Sequence, residues 1–345
     1  MLFRNFGKKP FGDHLDKIKA SPFYKFGAFE NRFPTQMMRE DVSMFKVSMS
    51  FFNKPKNVSP VSMIPSVKTD LRDYSGLEPR IIWFGHSSYL IQAGGKNILV
   101  DPVFSGFASP FSFSVRAFKG SNVYHVDEFP DIDILLLTHD HYDHLDYQTV
   151  LKLKSKTKHI CTSLGVGSHL MHWGFDEENI TEFEWEQHLT FDDGIELTAE
   201  TARHFSGRGF TRAKTMWASY VLNVAGHKLY IGADSGYGEH FKQIGEKHGP
   251  FDIVMLEAGQ YNDWWPQIHM RPEETVQASI DLNAKVLFPV HWGKFALAFH
   301  PWNEPIERVV KKAQELNVKI TSPMIGEPVV LGGNYPHTAW WKGLK

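Results

Sequence analysis

The sequence predicts a layered α/β fold, and three features carry that prediction. Residues 133–138 (DILLLT) are a continuous apolar run of the kind a strand covered on both faces shows. Residues 80–84, 88–92 and 97–100 read as consecutive strands, the last two joined by a Gly94-Gly95 turn. Two helices are marked late in the chain. One opens at Pro272-Glu273-Glu274 and continues with Val276 and Ile280; the other opens at Pro305 and puts Ile306, Val309, Val310, Ala313 and Leu316 on one face.

The remaining elements follow in order. Residues 1–79 show no clear periodicity but scatter Phe, Met and Pro, including Met37, Met38, Phe45, Met49 and Phe51. They are expected to be an extension wrapping the core; exposed Met and Phe there also suit a membrane surface or a second copy of the chain. From residue 80 to 345 the texture is that of one globular domain, with a helix expected over 145–153. Further strands are expected at 158–161, 195–199, 216–223, 228–232, 252–256 and 285–290.

Composition narrows the function. At 345 residues, 42% hydrophobic and 22% charged, the chain has material for a large core. A net charge of −2 without any run of Lys or Arg argues against a nucleic-acid partner. Cys161 is the single cysteine, so no disulfide framework is expected, and it should pack as a small hydrophobe. No window nears 18 uninterrupted apolar residues, and the first residues lack an apolar signal core, so a cytoplasmic protein is expected.

The chemistry is concentrated in Thr138-His139-Asp140-His141-Tyr142-Asp143-His144, directly after the apolar strand. Imidazole and carboxylate are ligands that zinc, manganese and iron accept. His139 and His141, two apart, can share a face toward one ion, and Asp143 and His144 can turn to a second. Two ions need more ligands. His204, Asp234 and His291 each stand at or near the first polar position after another apolar run.

This order of residues resembles the metallo-β-lactamase superfamily. Gly85-His86-Ser87-Ser88, Asp101-Pro102-Val103-Phe104, Ala233-Asp234-Ser235-Gly236-Tyr237, Gly249-Pro250-Phe251-Asp252 and His291-Trp292-Gly293 resemble one branch of it, the N-acylphosphatidylethanolamine-hydrolysing phospholipase D family. The similarity runs from about residue 80 to residue 305. It implies a four-layer αββα sandwich in residues 80–345 with metals where the two sheets meet. By position, His139, His141 and His204 hold one of two divalent ions, Asp143, His144 and His291 the other, and Asp234 lies between them. Zinc fits the ligands best, with manganese or iron as alternatives.

The resemblance also implies a reaction: metal-activated hydroxide cleaves a phosphodiester, releasing an N-acylethanolamine and phosphatidic acid. Asp143 and Asp234 would serve that chemistry, with His269 donating a hydrogen bond to the developing charge. Tyr142 and Tyr147 match family tyrosines expected to orient phosphate. His86 and Asp101 are expected to support the ligands from behind. Trp264, Trp265, Phe295, Phe299 and Trp302 are candidates for an apolar mouth. Arg203 and Lys294 depart from the family pattern, adding charge that would suit a more anionic or smaller ester. The partner expected is thus a phospholipid, with peripheral membrane contact and a homodimer, or, as the alternative, a sugar lactone or small phosphodiester.

Overall fold

The computed structural model describes residues 4–209, 211–333 and 335–344. An N-terminal segment carries α1 (Gly12–Lys19), a short hairpin of β1 (Tyr24–Lys25) and β2 (Ala28–Phe29), and α2 (Met44–Phe52). Then come β3 (Arg80–Trp83), β4 (Tyr89–Ala93), β5 (Lys96–Val100), β6 (Ile132–Leu137), α3 (Tyr147–Leu153), β7 (Thr157–Ser163), α4 (Gly167–His172) and β8 (Ile180–Phe183). The second half holds β9 (His188–Thr190), β10 (Glu196–Glu200), β11 (Ser219–Val224), β12 (His227–Ile231), α5 (His240–His248), β13 (Ile253–Glu257), α6 (Pro272–Asp281), β14 (Leu287–Val290), α7 (Glu304–Glu315) and β15 (Pro328–Val330).

The strands form two mixed sheets. One runs β15-β3-β4-β5-β6-β7-β8, antiparallel up to β5 and parallel beyond it. The other runs β14-β13-β12-β11-β10-β9, parallel over its first three strands and antiparallel over the rest. Alternation of side chains gives each sheet two apolar faces. Ile98, Ile134, Leu136 and Cys161 from the first sheet meet Leu197, Leu222, Met255 and Phe288 from the second in the central core. The outer face of the first sheet, with Leu90, Leu99 and Leu135, is covered by α3 and α4 through Val150, Leu153 and Leu170. The outer face of the second, with Tyr230, Val254 and Leu287, is covered by Phe241, Val276 and Val309 of α5, α6 and α7. The layers are therefore αββα.

The N-terminal segment lies against this sandwich. Asn5 donates to Pro110 O, the amide of Asn31 bonds both backbone atoms of His204, and Arg203 donates to Thr35 Oγ1 and Pro34 O. Its helices escape periodicity for a simple reason. α1 has only 8 residues and two apolar side chains, Leu15 and Ile18, and α2 (MFKVSMSFF) is apolar nearly all round, so neither shows a clean 3.6-residue stripe. Among the described residues no helix is long and apolar enough to cross a membrane.

Leu136 lies at the middle of the central core, fully buried, and its carbonyl accepts from Asp101 N. Leu136→Ala should cost ~2–5 kcal/mol, read as a lower urea midpoint with unchanged slope.

Candidate metal centre

Six strand ends converge on one edge of the sandwich. His86 follows β3; His139, His141, Asp143 and His144 follow β6; His204 follows β10; Asp234 follows β12; Glu257 ends β13; His291 follows β14. Holding them together requires uncommon backbone. His86, Asp101, Ala233 and His291 all adopt left-handed φ, at 55°, 40°, 52° and 65°. Such residues persist only where the surroundings fix them. Here His86 N donates to Trp292 O and His291 N donates to His86 O, locking the two turns to each other. Gly259 is required beside them, since a Cβ there would lie 2.3 Å from His291 O.

The side chains form two nests. His139, His141, His204 and Asp234 offer donor atoms that all lie within 4.8 Å of one another, and so do His86, Asp143, His144 and His291. Asp234 reaches both nests: Oδ2 is 3.2 Å from His144 Nε2 and 3.6 Å from His204 Nε2, and Oδ1 is 3.1 Å from His291 Nδ1.

Four of the imidazoles are held through Nδ1. The Nδ1 atoms of His139, His144, His204 and His291 are within hydrogen-bond reach of Thr138 Oγ1, Asp101 Oδ2, Ile268 O and Ser87 Oγ, at 3.0, 2.7, 2.8 and 2.9 Å. The Nε2 atoms of His139, His144 and His204 are thereby turned toward Asp234, whereas His291 meets it through Nδ1. His141 is the reverse, presenting Nδ1 at 2.9 Å from His139 Nε2 and 3.3 Å from His204 Nε2. Asp101 also accepts from Thr138 N and Oγ1, and His86 Nε2 lies 2.8 Å from Asp143 Oδ2. These are the partners that orient metal ligands.

The donor set fits cations. His144 Nε2, His291 Nε2 and Asp234 Oδ1 are buried without a hydrogen-bond partner. An unpaired buried polar atom costs about 1–3 kcal/mol, a cost that a cation held among these donors would offset. Burial pushes His139, His204 and His291 well below the usual imidazole range, leaving their lone pairs free. His144 is the exception: burial alone would lower it, but Asp234, Asp143 and Asp101 hold it well above that range. Burial alone would raise the Asp143 carboxyl, but His144 and His86 hold it well below its ordinary value.

The nests open into a cavity of about 300 Å³ with an apolar wall from Met38, Val47, Phe51, Phe205, Trp265 and Leu297. Arg212 sits at this wall with its guanidinium 5.1 Å above the Phe205 ring. His269 also lines the cavity. Of the aromatics considered for the mouth, Trp265 lines it and Phe299 packs behind Phe51, whereas Trp302 belongs to the central core and Phe295 packs against His86.

Four residues expected at the substrate face elsewhere, which corrects the sequence reading. Arg203 stands at a bend just before His204 and is held away from the nests by Thr35 Oγ1, Pro34 O and Tyr237 O. Lys294 is fully buried, with Nζ donating to Phe84 O and Val103 O. Tyr142 donates to Arg208 O and lies under the Arg208 guanidinium. Tyr147 opens α3 and packs on Trp173.

Glu257 was not singled out from the sequence. It is fully buried, accepting from Ser235 N and Met270 N through Oε1 and holding His269 Nδ1 at 2.5 Å through Oε2. A signal existed: Glu257 is the first polar residue after the apolar run Ile253-Val254-Met255-Leu256, as Asp234 and His291 nearly are after theirs.

Fold and nests together define a metal-dependent hydrolase. A family model described as the Beta-lactamase superfamily domain matches residues 96–292, and the chain belongs to that superfamily. Among relatives, the uncharacterized protein Rv0906 of Mycobacterium tuberculosis is 37% identical over 329 residues, covering 94% of this chain and 88% of that one. The mitochondrial N-acyl-phosphatidylethanolamine-hydrolyzing phospholipase D of Saccharomyces cerevisiae is 30% identical over 242 residues, 67% of this chain and 51% of the yeast protein. The metallo hydrolase Igni18 of Ignicoccus hospitalis shares the fold, with a TM-score of 0.57 at 18% identity over 74% of this chain and 99% of that one.

Two predictions follow from these contacts. Asp101→Asn should weaken metal affinity by roughly 10–100-fold, measured by competition with a chromogenic chelator, because His144 loses its anionic partner. Lys294 gives a pH signature. Burial lowers its amine to about 7, against partial opposition from Asp146, so between pH 10 and pH 7 the unfolded chain takes up a proton that the folded chain does not. Wild type should therefore lose stability relative to Lys294→Met as pH falls from 10 to 7, by up to ~1.4 kcal/mol per pH unit in paired urea titrations.

Proposed function

We propose that the chain is a dinuclear metallohydrolase that cleaves phosphodiesters in the manner of a phospholipase D, with N-acylphosphatidylethanolamine-like lipids as substrates. The observation that carries this reading is the pair of nests sharing Asp234 at the base of an apolar-walled cavity. His139, His141, His204 and Asp234 would hold one ion; Asp143, His144, His291 and the same Asp234 the other. Nitrogen and carboxylate donors favour zinc, with manganese or iron as alternatives. When bound, such ions polarise a phosphoryl oxygen and lower the pKa of water enough to make it a nucleophile at neutral pH.

The chain's own residues supply the rest. His269, with Nδ1 held by Glu257, has Nε2 left for the substrate phosphate or the departing oxygen. The Arg212 guanidinium places a cation at the cavity wall for the anionic diester. Met38, Val47 and Phe51 give acyl chains a dry surface and keep bulk water from the reacting centre.

A lipid surface suits the same edge of the molecule. Phe45 is 75% exposed and Met49 45% exposed on α2, whose other side lines the cavity through Val47 and Phe51. From residue 42 to residue 67 the charges are Lys46, Lys54 and Lys56, basic groups that suit an anionic bilayer. The alternative, a small soluble phosphodiester or a lactone, draws on one observation: about 300 Å³ is the low end for a ligand pocket.

The test is turnover of N-acylphosphatidylethanolamine in mixed micelles by protein of measured metal content, with products identified by mass spectrometry. N-acylethanolamine and phosphatidic acid should appear and should vanish with a chelator. Asp143→Asn and His144→Ala should abolish turnover in folded protein. His269→Ala should lower kcat by ~10²–10⁴-fold with metal retained. Fully metallated protein that hydrolyses only small diesters or lactones would move the assignment to the alternative.

A further inference from the structure

Buried carboxylates need a reason, and Glu257, fully buried at this edge, belongs to neither of the two nests and backs none of their imidazoles. Its side chain is fully buried at the end of β13. Three donors meet it: Ser235 N and Met270 N on Oε1, each at 3.0 Å, and His269 Nδ1 on Oε2 at 2.5 Å. Ser235 follows Asp234, and Met270 follows His269. One carboxylate thus ties the turn carrying the shared aspartate to the turn carrying the candidate phosphate partner. Thr275 Oγ1 of α6 donates to Glu257 O at 2.7 Å and fixes the strand end itself.

The His269 ring is clamped on its faces as well. It stacks on His291 with centroids 5.3 Å apart at 18°, and meets His204 edge-on at 4.9 Å. Its side chain keeps 12% of its exposure, on the cavity side. An acidic acceptor on one ring nitrogen settles where the ring proton sits and how the ring is turned, as carboxylates do behind other functional histidines.

We infer that Glu257 is a positioning residue: it holds the proton of His269 on Nδ1 and so turns Nε2 into the cavity toward the substrate's phosphate. The inference rests on the reading of this centre as a phosphodiesterase only in what Nε2 meets; the Glu257–His269 arrangement is testable without turnover. A competing role exists, because Asp234, Glu257, His269 and His291 also offer donor atoms within 4.8 Å of one another, and a third ion there would make Glu257 and His269 ligands. The 2.5 Å contact between carboxylate and ring favours a shared proton over an intervening cation.

The experiment compares metal-loaded wild type, Glu257→Gln, His269→Ala and the double variant, with histidine rings labelled with nitrogen-15. Wild type should show a far-downfield, exchange-protected imidazole N–H resonance that is lost in His269→Ala, which assigns it. Glu257→Gln should lose or strongly shift that resonance while binding the same number of ions. With bis(4-nitrophenyl) phosphate and with the lipid, Glu257→Gln should lower kcat by roughly 10–100-fold at nearly unchanged KM. Added to His269→Ala it should change nothing further, because both substitutions remove one arrangement. Three ions in wild type with one lost in Glu257→Gln would overturn the inference in favour of a ligand role. Additive losses in the double variant, or a resonance that persists in Glu257→Gln, would also overturn it. Lack of turnover by wild type would overturn the phosphodiesterase reading alone, and the resonance and ion count would still decide the placement of Glu257.

Discussion

A folded chain can bury five imidazoles and two carboxylates in one place only if each is restrained and the charges find a counterpart. At this centre the restraint comes from behind the rings. Thr138, Asp101 and Ile268 O occupy the outward nitrogens of His139, His144 and His204, and their inward nitrogens have nowhere to go but toward Asp234 and one another. The counterpart is the cation that the orphaned atoms His144 Nε2, His291 Nε2 and Asp234 Oδ1 call for. Remove the outward partners and the rings would rotate to pair among themselves, as any half-satisfied polar network does. The left-handed turns at His86, Asp101, Ala233 and His291 belong to the same constraint, since they aim strand ends that would otherwise run straight past the edge.

The sandwich was legible because its core obeys short-range rules. Runs such as 134–137 and 286–290 are apolar at consecutive positions, as a strand covered on both faces is, and they appear in β6 and β14. The same rule located residues of the two nests, because the first polar residue beyond such a run lies at the sheet edge where ends converge. It applied equally to Glu257, but a glutamate ending a strand before Ala-Gly looks like an ordinary turn until the fold brings His269 to it.

What sequence could not supply was direction. Arg203 and Tyr142 are neighbours of ligands, and neighbours in extended or tightly turned chain point to different sides. Arg203 was thereby sent to the N-terminal segment and Tyr142 to Arg208, a buried arginine that ties Asp140 O and Leu145 O to Asn5 O. Lys294 went to carbonyls in the core. Proximity in number identified the right loops and the wrong faces. The cation that does line the cavity, Arg212, lies eight residues beyond His204 in a stretch without any strand or helix pattern.

The division of labour between sandwich and extension bears on specificity. Every donor in the two nests comes from residues after 80, on strand ends that the two sheets fix rigidly. Met37, Met38, Val47 and Phe51, by contrast, enter the cavity wall from the N-terminal segment, which is attached through Asn31 to the backbone of His204 itself. The clustered donors and the apolar cavity wall are thus carried by different parts of the chain, joined at His204. Changing the segment's apolar side chains alters what can reach the nests without moving a donor atom, whereas loosening the Asn31 contact would disturb a ligand's backbone. A scaffold arranged this way keeps its hydrolytic centre constant while the cavity above it changes occupant.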